Sequence, residues 1–300
     1  MLKKSILIFL SLFLITSAFS QNLTALKKRV AVMNFNDRSG YGHNIGSGLA
    51  DMLVTRLVKS GKFLVVERKE LDKILQEQGM GQSGLVTPQS AAKVGKLLGV
   101  ELMVTGSVSE FGRKNKSVGG GIGRLAFGGK VSKKQARAVV DLRLVNTSTG
   151  EIIMAEKAEG KASSTSLDRV QFKDIDFGNP TTWDQTILGK AARKAIDKSV
   201  DYITKAMKKI PWEGKIIKVN SDNTVYMKPG SAGGVQTGME FAVYSQGDAL
   251  IDPDTGLSLG SEESKIGVIK VIQDVAGGKA CKAIIVSGSG FATGNPVRVK

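Results

Sequence analysis

Val30-Ala31-Val32-Met33-Asn34-Phe35 is the stretch on which the reading of this 300-residue chain turns. Its unbroken apolar start is the pattern of a buried strand. After it, residues 36–44 form a loop holding Gly40, Tyr41 and Gly42. Ile45, Leu49, Met52, Leu53 and Leu57 then recur at helical spacing, which predicts an amphipathic helix over 46–59. Phe63-Leu64-Val65-Val66 is a second strand, and 69–78 a second helix with Leu71, Ile74 and Leu75 on one face. Thr87-Pro88 opens a third helix with a cap followed by proline in the first turn, and Gly99 stops it. Residues 102–108 supply the third strand. The order strand, helix, strand, helix, helix, strand implies a mixed sheet with helices packed on it.

From Ala136 the periodicity changes. Ala138, Val140, Leu142 and Leu144 alternate with Arg137, Asp141 and Arg143, as in a half-buried antiparallel strand. Asn146-Thr147-Ser148-Thr149-Gly150 is a turn, and 152–160 returns as the partner strand. Residues 186–209 form a helix with Leu188, Ala192, Ile196, Val200, Ile203 and Met207 on one side and lysines on the other, ended by Pro211. Beyond a boundary at 210–214, six short strands (214–219, 224–227, 240–244, 266–273, 280–286 and 296–299) predict a small closed barrel or sandwich. The expected fold class is therefore α/β (α+β): a mixed sheet flanked by helices with an antiparallel hairpin extension, plus a small C-terminal β-barrel domain over 214–300.

Lys3 and Lys4, the apolar run Ile6 to Ile15 and the small residues around Ala18-Phe19-Ser20 form a signal peptide over 1–20, cut before Gln21. The run is too short to span a bilayer, which takes about 20 apolar residues. The chain is thus expected to be exported, with no transmembrane helix. The one cysteine, Cys281, lies far from the leader, so lipid attachment is not expected. Losing Lys3 and Lys4 lowers the formal net charge from +16 to +14. In an exported protein that excess fits an anionic envelope surface or an acidic client better than nucleic acid, and simple solubility accounts for it equally well.

One cysteine and one histidine, His43, exclude a disulfide framework, a cysteine zinc site and a histidine relay. Gly119-Gly120-Gly121-Ile122-Gly123 misses dinucleotide spacing, since Arg124 stands where the last glycine belongs. Gly128-Gly129-Lys130 lacks the following hydroxyl of a phosphate loop. Asp252-Pro253-Asp254-Thr255-Gly256, with Glu263 at the twelfth position, starts like a calcium loop, but Leu257 replaces the turn glycine, so a turn between strands is the better reading. No catalytic pair, metal or cofactor is expected. Val118 to Val131 is different. Its odd positions, including Leu125 and Phe127, are uncharged, while Arg124 and Lys130 fall on even ones, which is the pattern and length of a membrane β-strand. A glycine-rich loop would show the same residues.

Taken with Asp51-Met52-Leu53-Val54-Thr55, Phe63 to Arg68, Ala91 to Gly99, Val104 to Ser107 and above all Val140-Asp141-Leu142-Arg143-Leu144-Val145-Asn146-Thr147-Ser148-Thr149-Gly150-Glu151, the first strand resembles the curli production assembly/transport component (CsgG) family. The likeness covers about 28–207. It implies a non-enzymatic periplasmic domain, 28–209, that forms a homo-oligomer at the outer membrane for export of a protein client, each copy lending two hairpins, 109–144 and 151–183, to a shared barrel. It also implies that Tyr41 narrows the channel and that Leu125 and Phe127 face lipid. Two features depart from the family: its channels are lipoproteins, and Leu167 to Asp176 here carries charges on both faces, which favours a soluble periplasmic scaffold without a pore. Residues 214–300 lie outside that likeness. There Gly234 to Met239 and Asp252 to Gly256 resemble the C-terminal domain of flagellar assembly protein T.

Overall fold

The computed structural model describes residues 26–42, 44–77, 88–117, 132–164, 186–254 and 258–300. Its first sheet has the order β3-β1-β4-β5-β6, made from β1 (Lys28–Val32), β3 (Phe63–Val65), β4 (Leu102–Ser117), β5 (Ser132–Asn146) and β6 (Ile152–Ser164), with the two-residue β2 (Asn36–Asp37) beside β4. β3, β1 and β4 run parallel because helices carry the chain back between them: α1 (Ile45–Lys59), then α2 (Arg68–Glu77) and α3 (Pro88–Leu98). β4, β5 and β6 are antiparallel. A tight turn closes the β5–β6 hairpin, with the Gly150 amide donating to the Asn146 carbonyl and Gly150 at φ 78°.

Two cores explain the two periodicities. Val30 and Val32 of β1 enter the core beneath α1 and α4 (Ile187–Met207), whereas Ala31 and Met33 enter a second core with Leu71, Ala91 and Val94 of α2 and α3. A strand covered on both faces has no polar side, hence the unbroken run. On β5 the even residues Ala136, Ala138, Val140, Leu142 and Leu144 face α1 and α4. Among the odd residues Val145 reaches the second core, while Arg143 is exposed and Asp141 and Arg137 are half-buried. The alternation therefore records where α2 and α3 stop covering the sheet.

Lys28 and Arg29 open β1 ahead of the apolar run. Lys28 is only 9% exposed, and its Nζ donates to the carbonyls of Met207 and Ile210, supplying a cation to the open C-terminal end of α4. At the other end of α4 the Thr186 hydroxyl accepts from the Gly189 amide at 2.9 Å, an N-cap.

The six C-terminal strands are β7 (Glu213–Val219), β8 (Thr224–Lys228), β9 (Glu240–Ile251), β10 (Ser258–Val275), β11 (Ala280–Gly288) and β12 (Pro296–Val299), closing into a ring in the order β10-β11-β8-β7-β12-β9. Phe241, Ile269, Val271, Cys281 and Val297 fill it, and Trp212 stacks on Phe241 with ring centroids 5.1 Å apart. β9 and β10 run well past the expected 240–244 and 266–273, pairing as far as Ile251 and Ser258 in a two-stranded ribbon that leaves the ring. β4 likewise passes the expected end at 108. Apolar periodicity ends there, but the hydrogen-bond ladder continues with polar residues on both faces. Among the described residues no helix is long and apolar enough to cross a membrane, which says nothing of strands.

Candidate functional site

The candidate site grows from the far part of β4, β5 and β6, hereafter the arm. β4 and β5 stay in register out to Ser117 opposite Ser132, and β6 pairs with β5 from Ile152 to Ser164, opposite Lys134. A bulge at Ser109, between Val108 and Glu110, keeps the apolar face continuous: Val108 stands opposite Val140, and after the extra residue Phe111 stands opposite Ala138. Without it Phe111 would turn to the opposite face. The outer edge of β6 has no strand partner among the described residues. The described part of the expected second hairpin thus pairs with β5; residues 165–183 lie outside the described residues.

α4 lies across the arm. A Cβ on Gly160 of β6 would stand 1.9 Å from the Ala191 carbonyl oxygen and 2.6 Å from the Ala195 nitrogen, so strand and helix touch backbone to backbone. Arg137 roots the opposite face, donating to Glu110 at 2.5 Å and to Glu159, which also meets Lys161 at 2.9 Å. Those partners hold the Glu159 carboxyl below its usual range, the Lys161 hydrogen bond first and the Arg137 one next. Where α4 crosses the arm, a hollow of about 560 Å³ is lined by the basic residues Arg137, Lys161, Lys190, Arg193 and Lys194.

Tyr41 sits at the foot of the arm. Asp37 shapes its loop, accepting from the Ser39 amide at 2.8 Å, the Ser39 hydroxyl at 2.6 Å and the Gly42 amide at 2.9 Å. Partial burial works to raise the Asp37 pKa, but these hydrogen bonds outweigh it and leave it below the usual range. The Tyr41 ring meets Phe111 edge-on, with centroids 4.7 Å apart and planes at 78°, and Phe111 is 8% exposed. Burial raises the Tyr41 pKa against the opposing charge of Arg113, so the phenol is neutral at physiological pH. Tyr41 and the root of the arm are therefore one packed unit. Leu125 and Phe127, expected to face lipid, lie outside the described residues, as do His43 and the leader.

Among the described residues no group of three or more His, Cys, Asp or Glu is placed to hold a metal. Glu263, the calcium-loop candidate, is instead bound in two-pronged fashion by Arg298 of β12, at 2.5 and 2.9 Å. Cys281 is 1% exposed, and burial pushes its thiol up to about 12.

Sequence reasoning missed Glu101, at the foot of β4. Burial drives its carboxyl up to about 7 against the attraction of Lys28. Only its position between two apolar residues, Val100 and Leu102, signals this locally.

The family described as "Curli production assembly/transport component CsgG" matches residues 14–230, a span running through β7 and β8. A protein of Neisseria meningitidis serogroup B named as lipoprotein NMB1126/NMB1164 is 26% identical over 205 residues, covering 66% of this chain and 84% of that protein. The curli production assembly/transport component CsgG of Escherichia coli K12 is 27% identical over 161 residues, covering 49% of this chain and 58% of that protein, so less than two thirds of its length is spanned. Among solved structures, lipoprotein GNA1162 from Neisseria meningitidis covers 47% of this chain and 88% of its own at 15% identity, with a TM-score of 0.36, too low to carry an argument.

Proposed function

The chain belongs to the CsgG family, and from that premise we propose that it is a non-enzymatic cell-envelope protein, exported by its leader, whose copies assemble at the outer membrane in support of protein export. The observation that carries this reading is the arm. It runs past the last core contacts at Phe111 and Ala136, sets Lys116 opposite Lys133, and continues toward 118–131. A basic band before an apolar tip matches a segment that meets anionic headgroups and then enters lipid. A few strands per copy leave open edges, as on β6, and lipid cannot satisfy them, so a ring of copies is required to close a barrel. Residues 28–209 act as the assembling unit and 214–300 as an appended module. Tyr41, braced by Phe111, is the residue assigned to the channel's narrowing. The basic hollow under α4 faces the anionic partner.

A second reading, a soluble periplasmic scaffold, is favoured by the charges on both faces of 167–176. One pair of variants separates the two. With 118–131 as a membrane strand, Leu125→Arg places a charge in lipid at about 2–4 kcal/mol per subunit. Ala126→Arg, pointing the other way, costs much less. Outer-membrane insertion and oligomer recovery, measured side by side, should fall for Leu125→Arg alone. Equal behaviour of the pair would leave the scaffold.

A further inference from the structure

Between the β5–β6 turn end of the first sheet, far from the arm, and the ribbon lies a cavity of about 650 Å³. One wall is the start of β1, the approach to β4 and the β5–β6 turn; the other is the ends of β7 and β8 with Gln246, Gly247 and Ala249 of β9 and Gly260 and Ser261 of β10. Its size is in the range of small-molecule sites, about 300–1,000 Å³.

Three features of this cavity point the same way. Lys27, Arg29, Lys215, Lys228 and Lys279 all line it. None of the four lysines meets a carboxylate within ion-pair distance among the described residues, and the Arg29 side chain spends its one described hydrogen bond on the Leu98 carbonyl at 3.2 Å. The opposing charge is small, because Glu213 is taken by Arg298 at 3.0 Å, leaving Glu101. Buried polar atoms without a partner also gather here: Arg29 Nε, Glu101 Oε2 and Ser261 Oγ, one from each of three separate strands or strand approaches. Buried donors and acceptors are ordinarily satisfied, and three unmet ones on one cavity mark a place built for something polar. Glycine lines both walls, at Gly99 on one side and Gly214, Gly247 and Gly260 on the other, so the backbone can come close to a ligand.

We propose that this cavity binds a small phosphate-bearing anion, held by the four lysines as point charges and by Arg29 and Ser261 as donors. Lysines spread around a cavity suit a multiply charged, roughly spherical group better than a planar carboxylate, which an arginine fork would grip. Glu101 supports the assignment: with its carboxyl near neutral, its proton can be donated to a phosphate oxygen, and its charge does not have to be overcome. The groups facing Glu101 are Lys28 and Arg29 on β1 and Glu213 on β7. The site lies apart from the Tyr41 loop and the hollow under α4, and does not depend on a pore.

The phosphate can belong to a soluble molecule or to a lipid headgroup, and two arms of one experiment distinguish them. In the first, the full chain is titrated with sodium pyrophosphate by calorimetry, with the unfolding temperature followed in parallel. Saturable binding and a rise in Tm are expected. Lys215→Ala and Lys228→Ala, both exposed and safe for folding, should each weaken binding about tenfold. Lys205→Ala, the same charge lost from the last turn of α4 outside the cavity, should leave it unchanged. In the second arm, phosphatidylcholine vesicles with and without phosphatidylglycerol are offered to the same variants. Binding to the phosphatidylglycerol vesicles that the cavity variants abolish assigns the site to headgroups; binding confined to pyrophosphate assigns it to a soluble ligand. No saturable binding in either arm, or binding that Lys205→Ala weakens as much as the cavity variants do, would overturn the proposal.

Discussion

The arm and the ribbon are both antiparallel extensions that outrun the cores they grow from, and they are held in opposite ways. The arm has a helix laid across it. Its apolar face is buried under α4, and its Gly160 leaves no room for even one more carbon. The ribbon is bare. Leu250, Ile251 and Leu259 near its tip are 58%, 54% and 68% exposed, and between 245 and 264 it carries five acids and no Lys or Arg. The arm is basic, with Arg113, Lys114, Lys116, Lys133 and Lys134 in its outer part. Each is rooted by an arginine between two glutamates: Arg137 with Glu110 and Glu159 on the strands either side of it, Arg298 with Glu213 on neighbouring β7 and Glu263 on β10, one strand further round the ring. An antiparallel extension of this kind has its ladder and an ionic root, and it resists or tolerates substitution according to what covers its face.

The sharpest way to break that comparison is a single methyl group. Gly160→Ala should destabilise the protein by about 2–3 kcal/mol, because the new carbon meets helix backbone that has nowhere to move. Gly247→Ala in the ribbon, where the nearest atom would be the Glu262 carbonyl oxygen at an ordinary 3.5 Å, should stay within about 0.5 kcal/mol. Urea unfolding of the two variants measures both, and equal midpoints would mean that α4 does not lock the arm.

Glu101 lies at the opposite end of β4 from the arm, where the β5–β6 turn faces the ribbon, and it adds a pH dependence. Its carboxyl titrates near 7 in the folded chain against 4.5 when unfolded. The folded state therefore holds the extra proton between those values, and this group's contribution to stability falls as pH rises from about 4.5 to about 7. Glu101→Gln should remove that fall, so that the variant gains on the parent at pH 8 and not at pH 4. Thermal unfolding across this range checks it, and parallel Tm profiles would contradict the burial argument.

The smallest effects are expected at the two roots. Arg298 grips Glu263 with two nitrogens, reaches Glu213 with one of them and lies 5.2 Å from the centre of the Tyr244 ring. Arg298→Ala should cost about 1–2 kcal/mol. Arg137→Ala should cost less and lose most of its effect in high salt, since its partners are more open to water. A larger loss at Arg137 would reverse the ranking of the two roots.

Much of this was legible locally. The unbroken run at 30–35, the alternation from Ala136 and the Gly99 stop each show how far a segment is covered or how it ends, and such signals repeat within a few residues. The period-two pattern of 118–131, with Leu125 and Phe127 on its uncharged side, is likewise a reading of the sequence alone, and Tyr41 enters only through the resemblance to the family. The reach of the arm and of the ribbon was not. Beyond Val108 and Tyr244 both faces of these strands are largely polar, so no period of two marks them, and only the pairing partner shows that the strand goes on.

By itself, then, the sequence determined the order and kind of the elements, the mixed sheet followed by six strands, the excess of positive charge and the kinship to CsgG. Tertiary structure alone decided that Lys28 caps α4, that Glu101 is half-buried beside Lys28 and Arg29, that Glu263 belongs to Arg298 and that Tyr41 rests on Phe111. The physical reason is range. Hydrophobic periodicity is a property of neighbours along the chain, whereas these contacts join residues as far apart as Lys28 and Ile210, whose proximity exists only once sheet and helix have packed together.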